Sequence, residues 1–145
     1  MSIFQVAFPN LVKTGYKITG PQDPTYNCIA WAANETDRWW WPNPLYYWPS
    51  GIPRVESLEA FVRAFGTIGF RVCKDAVLES GFEKIAIYAD AKGIPTHAAR
   101  QLPNDKWTSK LGGLEDIEHT ETSGLEESEY GAVAVMMRRQ VATTS

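Results

Sequence analysis

The run Trp39-Trp40-Trp41-Pro42-Asn43-Pro44-Leu45-Tyr46-Tyr47-Trp48-Pro49 sets the hardest condition on how this chain can fold. Pro42, Pro44, Pro49 and Pro53 forbid a continuous helix or a central strand there, because proline lacks a backbone donor and its ring clashes with a preceding helical turn. Yet the run holds 6 of the chain's 18 aromatic residues, so it is not an ordinary solvated loop. It reads as a long, hydrophobic, irregular segment that must pack on the rest of the chain. Most of its rings are expected to fill a core that short helices cannot fill alone. The functional alternative is that Trp39, Trp40 and Trp41 wall a substrate groove that stacks sugar rings or clamps a peptide.

The chain is organised around that segment. Residues 1–25 carry Pro9, Gly15, Gly20, Pro21 and Pro24 and predict an irregular lead-in with one short strand at most. Cys28-Ile29-Ala30-Trp31-Ala32-Ala33 reads as a short buried helix with Cys28 in its first turn. Val55, Leu58, Phe61, Val62 and Phe65 recur at helical spacing, with Glu59 and Arg63 four apart on the other side, so 55–65 reads as an amphipathic helix. Strand-length runs follow at 70–73, 83–89, 96–102, 107–111 and 132–137. Asp90-Ala91-Lys92-Gly93 and Pro103-Asn104-Asp105-Lys106 are turn sequences that make three of them a meander. The acidic stretch from Glu115 to Glu129 reads as a short helix and a solvated loop. Helices first and strands afterwards is an α+β order. With 145 residues, 44% of them hydrophobic, the expectation is one domain spanning 1–145.

Charge and cysteine usage narrow the function. A formal charge of −3 gives no cationic field to draw the protein to nucleic acid or anionic lipid. The sequence opens without a basic and apolar leader, and no apolar run approaches the roughly 18–20 residues of a membrane span. Two cysteines, Cys28 and Cys73, are too few for a disulfide framework. A reduced, cytoplasmic protein is expected, with no nucleic-acid or membrane partner.

Chemistry concentrates at Cys28 and His97. A thiolate is favoured at a helix N-terminus, where free N–H groups and the macrodipole stabilise negative charge, and an imidazole can accept its proton. One cysteine and one histidine at arbitrary spacing are more often structural than catalytic. Zinc is disfavoured: Cys28, Cys73, His97 and His119 include no pair at the spacing of known zinc sites, and no metal or cofactor is expected. Cys73 reads as inert core, and His119 as a structural or substrate-side residue.

Tyr26-Asn27-Cys28-Ile29-Ala30-Trp31-Ala32, then Thr96-His97-Ala98-Ala99-Arg100, then Trp107-Thr108-Ser109-Lys110-Leu111-Gly112 resembles a family of small uncharacterised bacterial proteins. The order of these parts is similar to the papain-like cysteine hydrolase superfamily, which includes bacterial cell-wall endopeptidases. The resemblance implies a papain-like α+β fold, short N-terminal helices packed on an antiparallel sheet, with acyl transfer at a thiolate. It also implies a polar third residue on the strand after His97 to orient the imidazole. The sequence departs from the pattern there. Ser109, Lys110 and Asp116 are the candidates for that place. If Leu102 pairs with Trp107 across the turn, alternation puts Thr108 and Lys110 on the face of His97 and Ser109 on the other, and one bulge reverses this. A charged lysine cannot accept from an imidazole N–H, so Lys110 suits a substrate carboxylate or the thiolate better.

The backbone N–H of Cys28 is a candidate oxyanion donor, with Tyr26 or Asn27 supplying a second from its side chain. Asn27 reads equally well as a helix cap. Arg100 joins Trp39, Trp40 and Trp41 as a candidate groove residue that could recognise a carboxylate. The leading expectation is a cysteine peptidase or amidase acting on a peptide or other amide substrate, with Cys28 as nucleophile and His97 as base. The alternatives are a non-catalytic interaction module on the same fold, with the Trp-rich loop and the acidic stretch as surfaces, and an effector that deamidates or cleaves another protein.

Overall fold

The computed structural model describes residues 13–21, 23–111, 115–126 and 130–141. The expectations for residues 1–12 of the lead-in and 127–129 of the acidic stretch lie outside the described residues.

Seven strands form one sheet: β1 (Tyr16–Gly20), β2 (Arg71–Cys73), β3 (Phe82–Ala89), β4 (Pro95–Gln101), β5 (Trp107–Lys110), β6 (Asp116–His119) and β7 (Ala132–Gln140). Their spatial order is β1-β6-β5-β4-β3-β7-β2, and every pairing between them is antiparallel. β3 to β6 make a meander of consecutive neighbours. The β3–β4 turn closes on Asp90, whose carboxylate accepts the N–H groups of Lys92 (2.9 Å) and Ile94 (3.0 Å). The β4–β5 turn closes on Asn104, which accepts the Lys106 N–H at 3.0 Å while Asp105 takes the left-handed conformation at φ 68°. β7 then returns beside β3, and β2 pairs on its outer side.

Among the described residues two short α-helices are formed in full: α1 (Cys28–Ala32, five residues) and α2 (Leu58–Gly66, nine residues). Asn27 caps α1 by accepting the Ala30 N–H, and Ser57 caps α2 by accepting the Ala60 N–H, both at 3.1 Å. The expected papain-like α+β architecture is therefore corrected: this is a β-rich fold built on one antiparallel sheet. The helix patterns were too short to make a helical layer, since Val55, Glu56 and Ser57 precede α2 and Ala33 ends α1. The one short strand allowed in the lead-in is Tyr16–Gly20, and the start of the stretch read as helix and loop is instead the strand Asp116–His119, which pairs with it at the sheet's edge. Polar, acidic Asp116-Ile117-Glu118-His119 has no continuous apolar run to mark it as a strand, and it forms because β5 and β1 satisfy its backbone on both sides.

The sheet carries a core on each face. On one face α1, α2 and the aromatic loop pack over Ile85, Ile87, Ala98 and Met137. On the other, Ala86, Tyr88 and Ala99 join Trp107, Leu111, Ile117 and Leu125. Adjacent residues of β3 and β4 thus serve different cores, which explains their near-continuous apolar sequence. The aromatic loop does fill the helix-side core. Trp40 is 1% exposed, stacks on Phe65 at 6.2 Å and tilts against Tyr47 at 5.0 Å, while Trp48 meets Phe61 edge-on at 5.1 Å.

Where β7 begins, the backbone leaves no room for a side chain. A Cβ on Gly131, which sits at φ +78°, would lie 2.0 Å from the Ala89 carbonyl oxygen. Gly51 has the similar φ of +83° with nothing within 4 Å of that position. Gly51→Ala should cost only the left-handed penalty of roughly 1–2 kcal/mol, whereas Gly131→Ala should cost clearly more because the β3–β7 junction must also open. Urea unfolding of the two variants measures the difference, and equal losses would contradict the close approach.

Candidate functional site

The site is built where β4 and β5 part. Their ladder joins Arg100 to Thr108 and Gln101 to Trp107, and continuing it would set Ala98 opposite Lys110. Instead the start of α1 meets β4 at Ala98. The N–H groups of Ala98, Ile29 and Cys28 itself all favour a thiolate at the Cys28 sulfur. Burial opposes them and wins: the residue is 7% exposed, and its pKa is pushed up to about 11. Cys28 is a protonated thiol at neutral pH.

His97 is wholly buried, stacked on Tyr130 at 4.2 Å and met edge-on by Tyr88 at 5.2 Å. Its Nε2 lies 3.0 Å from Ser109 Oγ, which lies 2.8 Å from His119 Nε2, and His119 Nδ1 lies 2.9 Å from the Glu121 carbonyl oxygen. The direction of this chain can be assigned from its far end. A carbonyl only accepts, so His119 carries its proton on Nδ1. Burial holds the His119 pKa down at about 4, so its ring is neutral and Nε2 must accept from the Ser109 hydroxyl. Ser109 Oγ then accepts from His97 Nε2–H. His97 is thereby fixed as the Nε2–H tautomer, and its Nδ1 is a bare acceptor, buried and without a partner. Burial, with His119 nearby, keeps the His97 pKa well below that of a free imidazole.

Of the three candidate orienters, Ser109 is the one that touches the imidazole. Lys110 and Asp116 do not, and the expected alternation is corrected. Gln101, not Leu102, pairs with Trp107, and Leu102 N–H bonds Lys106 O at 2.7 Å inside the turn. A slip of one residue exchanges the faces of a strand. Ser109 therefore lies with His97, while Thr108 and Lys110 face α1. There Trp31 Nε1 donates to Thr108 Oγ1 at 3.0 Å. Tyr26 donates to Asp116 Oδ2 at 2.7 Å, and Lys110 Nζ lies 4.9 Å from the centre of the Tyr26 ring. Burial lowers the Lys110 pKa and raises that of Tyr26, whose bond to Asp116 adds to the shift. Asp116 Oδ1 has no hydrogen-bond partner.

Cys28 and His97 come together through the backbone. Ala98 packs with Cys28 in the helix-side core, the His97 ring lies with Tyr88 and Tyr130 across the sheet, and no hydrogen bond joins sulfur to imidazole. Besides capping α1, Asn27 accepts the Trp40 N–H at 3.1 Å and donates to the Trp40 carbonyl at 2.8 Å. It clamps the aromatic loop to the helix start with one of its two amide N–H groups, and Tyr26 is turned to Asp116. Trp39 stacks on Tyr46 at 5.3 Å and Trp41 meets Phe61 edge-on at 5.4 Å. A cavity of about 580 Å³ lies farther along β4, lined by Arg100 but by none of Trp39, Trp40, Trp41, Cys28 or His97.

The sequence did not place His119 beside His97. Its signal was the strand pairing that puts His119 opposite Trp107 and Ile117 opposite Ser109, and that pairing was hidden by reading 115–129 as helix and loop. Cys73 lies on β2, with its sulfur 3.6 Å from the Asp75 carbonyl oxygen. Among the described residues, no three His, Cys, Asp or Glu side chains converge on a common point, and no helix is long and apolar enough to cross a membrane.

The two histidines make stability depend on pH. Both are held neutral when folded and titrate near 6.5 when unfolded. Their contribution is complete above about pH 6.5 and is lost as pH falls from there toward about 4, because only the unfolded chain takes up the protons. The urea midpoint should hold from pH 8 to 6.5 and fall between 6.5 and 4.5, with His119→Gln reducing the slope. The chain has only these 2 histidines, so a flat profile over that range would contradict their burial as neutral rings.

No curated protein and no solved structure matches the chain. Residues 17–138, which include every side chain of the Cys28–His97–Ser109–His119 arrangement, match the family described as a domain of unknown function, DUF7689, and the chain belongs to that family.

Proposed function

We propose that the protein is a thiol-dependent hydrolase of amide or peptide bonds, with Cys28 as nucleophile, His97 as base, and Ser109 and His119 as positioning residues. One observation carries this reading. The chain from Glu121 through His119 and Ser109 fixes His97 with its Nδ1 lone pair open, on the residue next to the amide that contacts the Cys28 sulfur. A nucleophile, a base and a group orienting the base are the elements such chemistry requires.

In the first step the sulfur attacks the carbonyl carbon and the Cys28 S–H proton reaches His97 Nδ1 through one bridging water, since no hydrogen bond joins the two groups directly. The N–H groups of Cys28, Ile29 and Ala98 are the donors at hand for the oxyanion. The C–N bond then breaks, the amine leaves with the proton held on Nδ1, and a thioester remains on Cys28. Water attacks the thioester, giving a proton to His97 Nδ1 that returns to the sulfur, and the acid is released. The imidazolium formed midway is stabilised by Ser109, whose hydroxyl accepts from Nε2–H in both protonation states.

The alternative of a non-catalytic interaction module is favoured by one observation: Cys28 and His97 are both buried, and the 580 Å³ cavity does not open on them. Acylation by p-nitrophenyl acetate separates the two. Intact mass should show one acetyl group on Cys28, lost in Cys28→Ala. The acylation rate should fall about 100-fold or more in His97→Gln, in the range typical of general bases. Ser109→Ala should slow it about 10-fold, a loss on the order of 1.4 kcal/mol in transition-state stabilisation. The acid limb of the rate should lie well below pH 6.5, since the base is held below its ordinary value. Acetylation unchanged in Cys28→Ala, or no acetylation in the wild type, would remove the hydrolase reading and leave the module.

A further inference from the structure

We infer that the cavity at the start of β3 and the end of β4 is a binding site for an apolar small molecule bearing a carboxylate, with Arg100 receiving the carboxylate. This goes beyond the thiol chemistry and does not depend on it. The cavity, about 580 Å³, is of the size that encloses small ligands. Leu78, Phe82, Leu102, Pro103 and Val141 give it apolar walls, and Leu78 and Val141 at its rim are 39% and 44% exposed.

The charges around it point to an anion. Glu79 is held by Lys84 at 2.8 Å and by Arg138, Asp75 by Lys84 at 3.0 Å, and Glu83 by Arg139 at 3.4 Å. Every carboxylate of the group is thus engaged without Arg100, whose Nε reaches Glu83 only at 4.0 Å. Counting Lys84, Arg100, Arg138 and Arg139 against Asp75, Glu79 and Glu83 leaves one positive charge in excess. Arg100 Nε donates to the Trp31 carbonyl at 3.3 Å and its guanidinium carbon lies 5.2 Å from the centre of the Trp31 ring, which together fix the side chain, while neither Nη has a hydrogen bond among the described residues. A guanidinium positioned by Trp31 with no hydrogen bond on its two outer nitrogens is suited to a bidentate carboxylate. The adjacent wall residue Gln101 is 4% exposed with its Oε1 unpartnered, which marks the wall as polar as well as apolar at this end.

Calorimetric titration of the full chain with decanoate and with decanamide, both kept below aggregation, tests the inference. Decanoate should bind saturably at one site and at least tenfold tighter than decanamide, and Arg100→Gln should abolish that preference. Because Arg100 also bonds to α1, Leu78→Glu and Val141→Asp at the exposed rim provide a test that does not disturb the core, and each should weaken decanoate at least tenfold. Cys28→Ala should bind decanoate as the wild type does, so failure of the hydrolase reading leaves this site standing. No saturable binding, equal affinity for decanoate and decanamide, or unchanged decanoate affinity in both rim variants would overturn it.

Discussion

A single hydroxyl, that of Ser109, connects two histidines that would otherwise be unrelated, and the character of the site follows from it. The hydroxyl has one proton to give, so once His119 is committed to the Glu121 carbonyl, Ser109 must donate to His119 and accept from His97. Three strands contribute to this chain: β4 through His97, β5 through Ser109 and β6 through His119. In a buried environment such a chain is strong when complete and costly when broken. The bare Nδ1 of His97 is the open end, and an unpaired buried acceptor is a stability cost of the kind that functional sites retain.

The sheet supplies this arrangement and α1 supplies the sulfur. Asn27 holds both halves of the helix side in place, since one side chain caps α1 and grips both backbone groups of Trp40. The aromatic loop is thus tied to the residue before Cys28, which explains how a segment with so many prolines can be well packed. Three of its four tryptophans satisfy their indole N–H groups: Trp39 on the Pro24 carbonyl, Trp40 on Glu35, Trp48 on the Pro53 carbonyl. The loop's Trp40 and Trp48 and the Cys28 thiol are buried in the same core, and burial keeps the sulfur protonated against the N–H groups gathered around it.

Much of this was legible in the chain itself. Cys28 at a capped helix start, the strand around His97, the meander turns at 90–93 and 103–106, and the core role of the aromatic loop follow from capping, turn chemistry and proline geometry. The β-rich architecture was not legible, and the papain-like expectation failed, because helical spacing over so few residues says little about how much of a fold is helix. The faces of β5 were lost to a single residue of register: pairing Leu102 rather than Gln101 with Trp107 exchanges Ser109 for Lys110 beside the imidazole. Alternation within a strand is reliable, whereas register across a turn depends on bonds such as Leu102 N–H to Lys106 O that no side chain announces. His119 was missed for a related reason, since β6 is stabilised by its two neighbours and has no apolar pattern of its own.

The tautomer of His97 is the point on which its proposed role as base, and that of Ser109 as its orienter, both rest. Long-range proton–nitrogen correlation of the nitrogen-15-labelled protein at pH 7 reads it directly, with His119 distinguished by the His119→Gln variant. A protonated Nε2 and a bare Nδ1 on His97, beside a protonated Nδ1 on His119, is the predicted pattern. A protonated Nδ1 on His97, or an imidazolium at either residue, would contradict the hydrogen-bond chain and with it the assignment of His97 as the base.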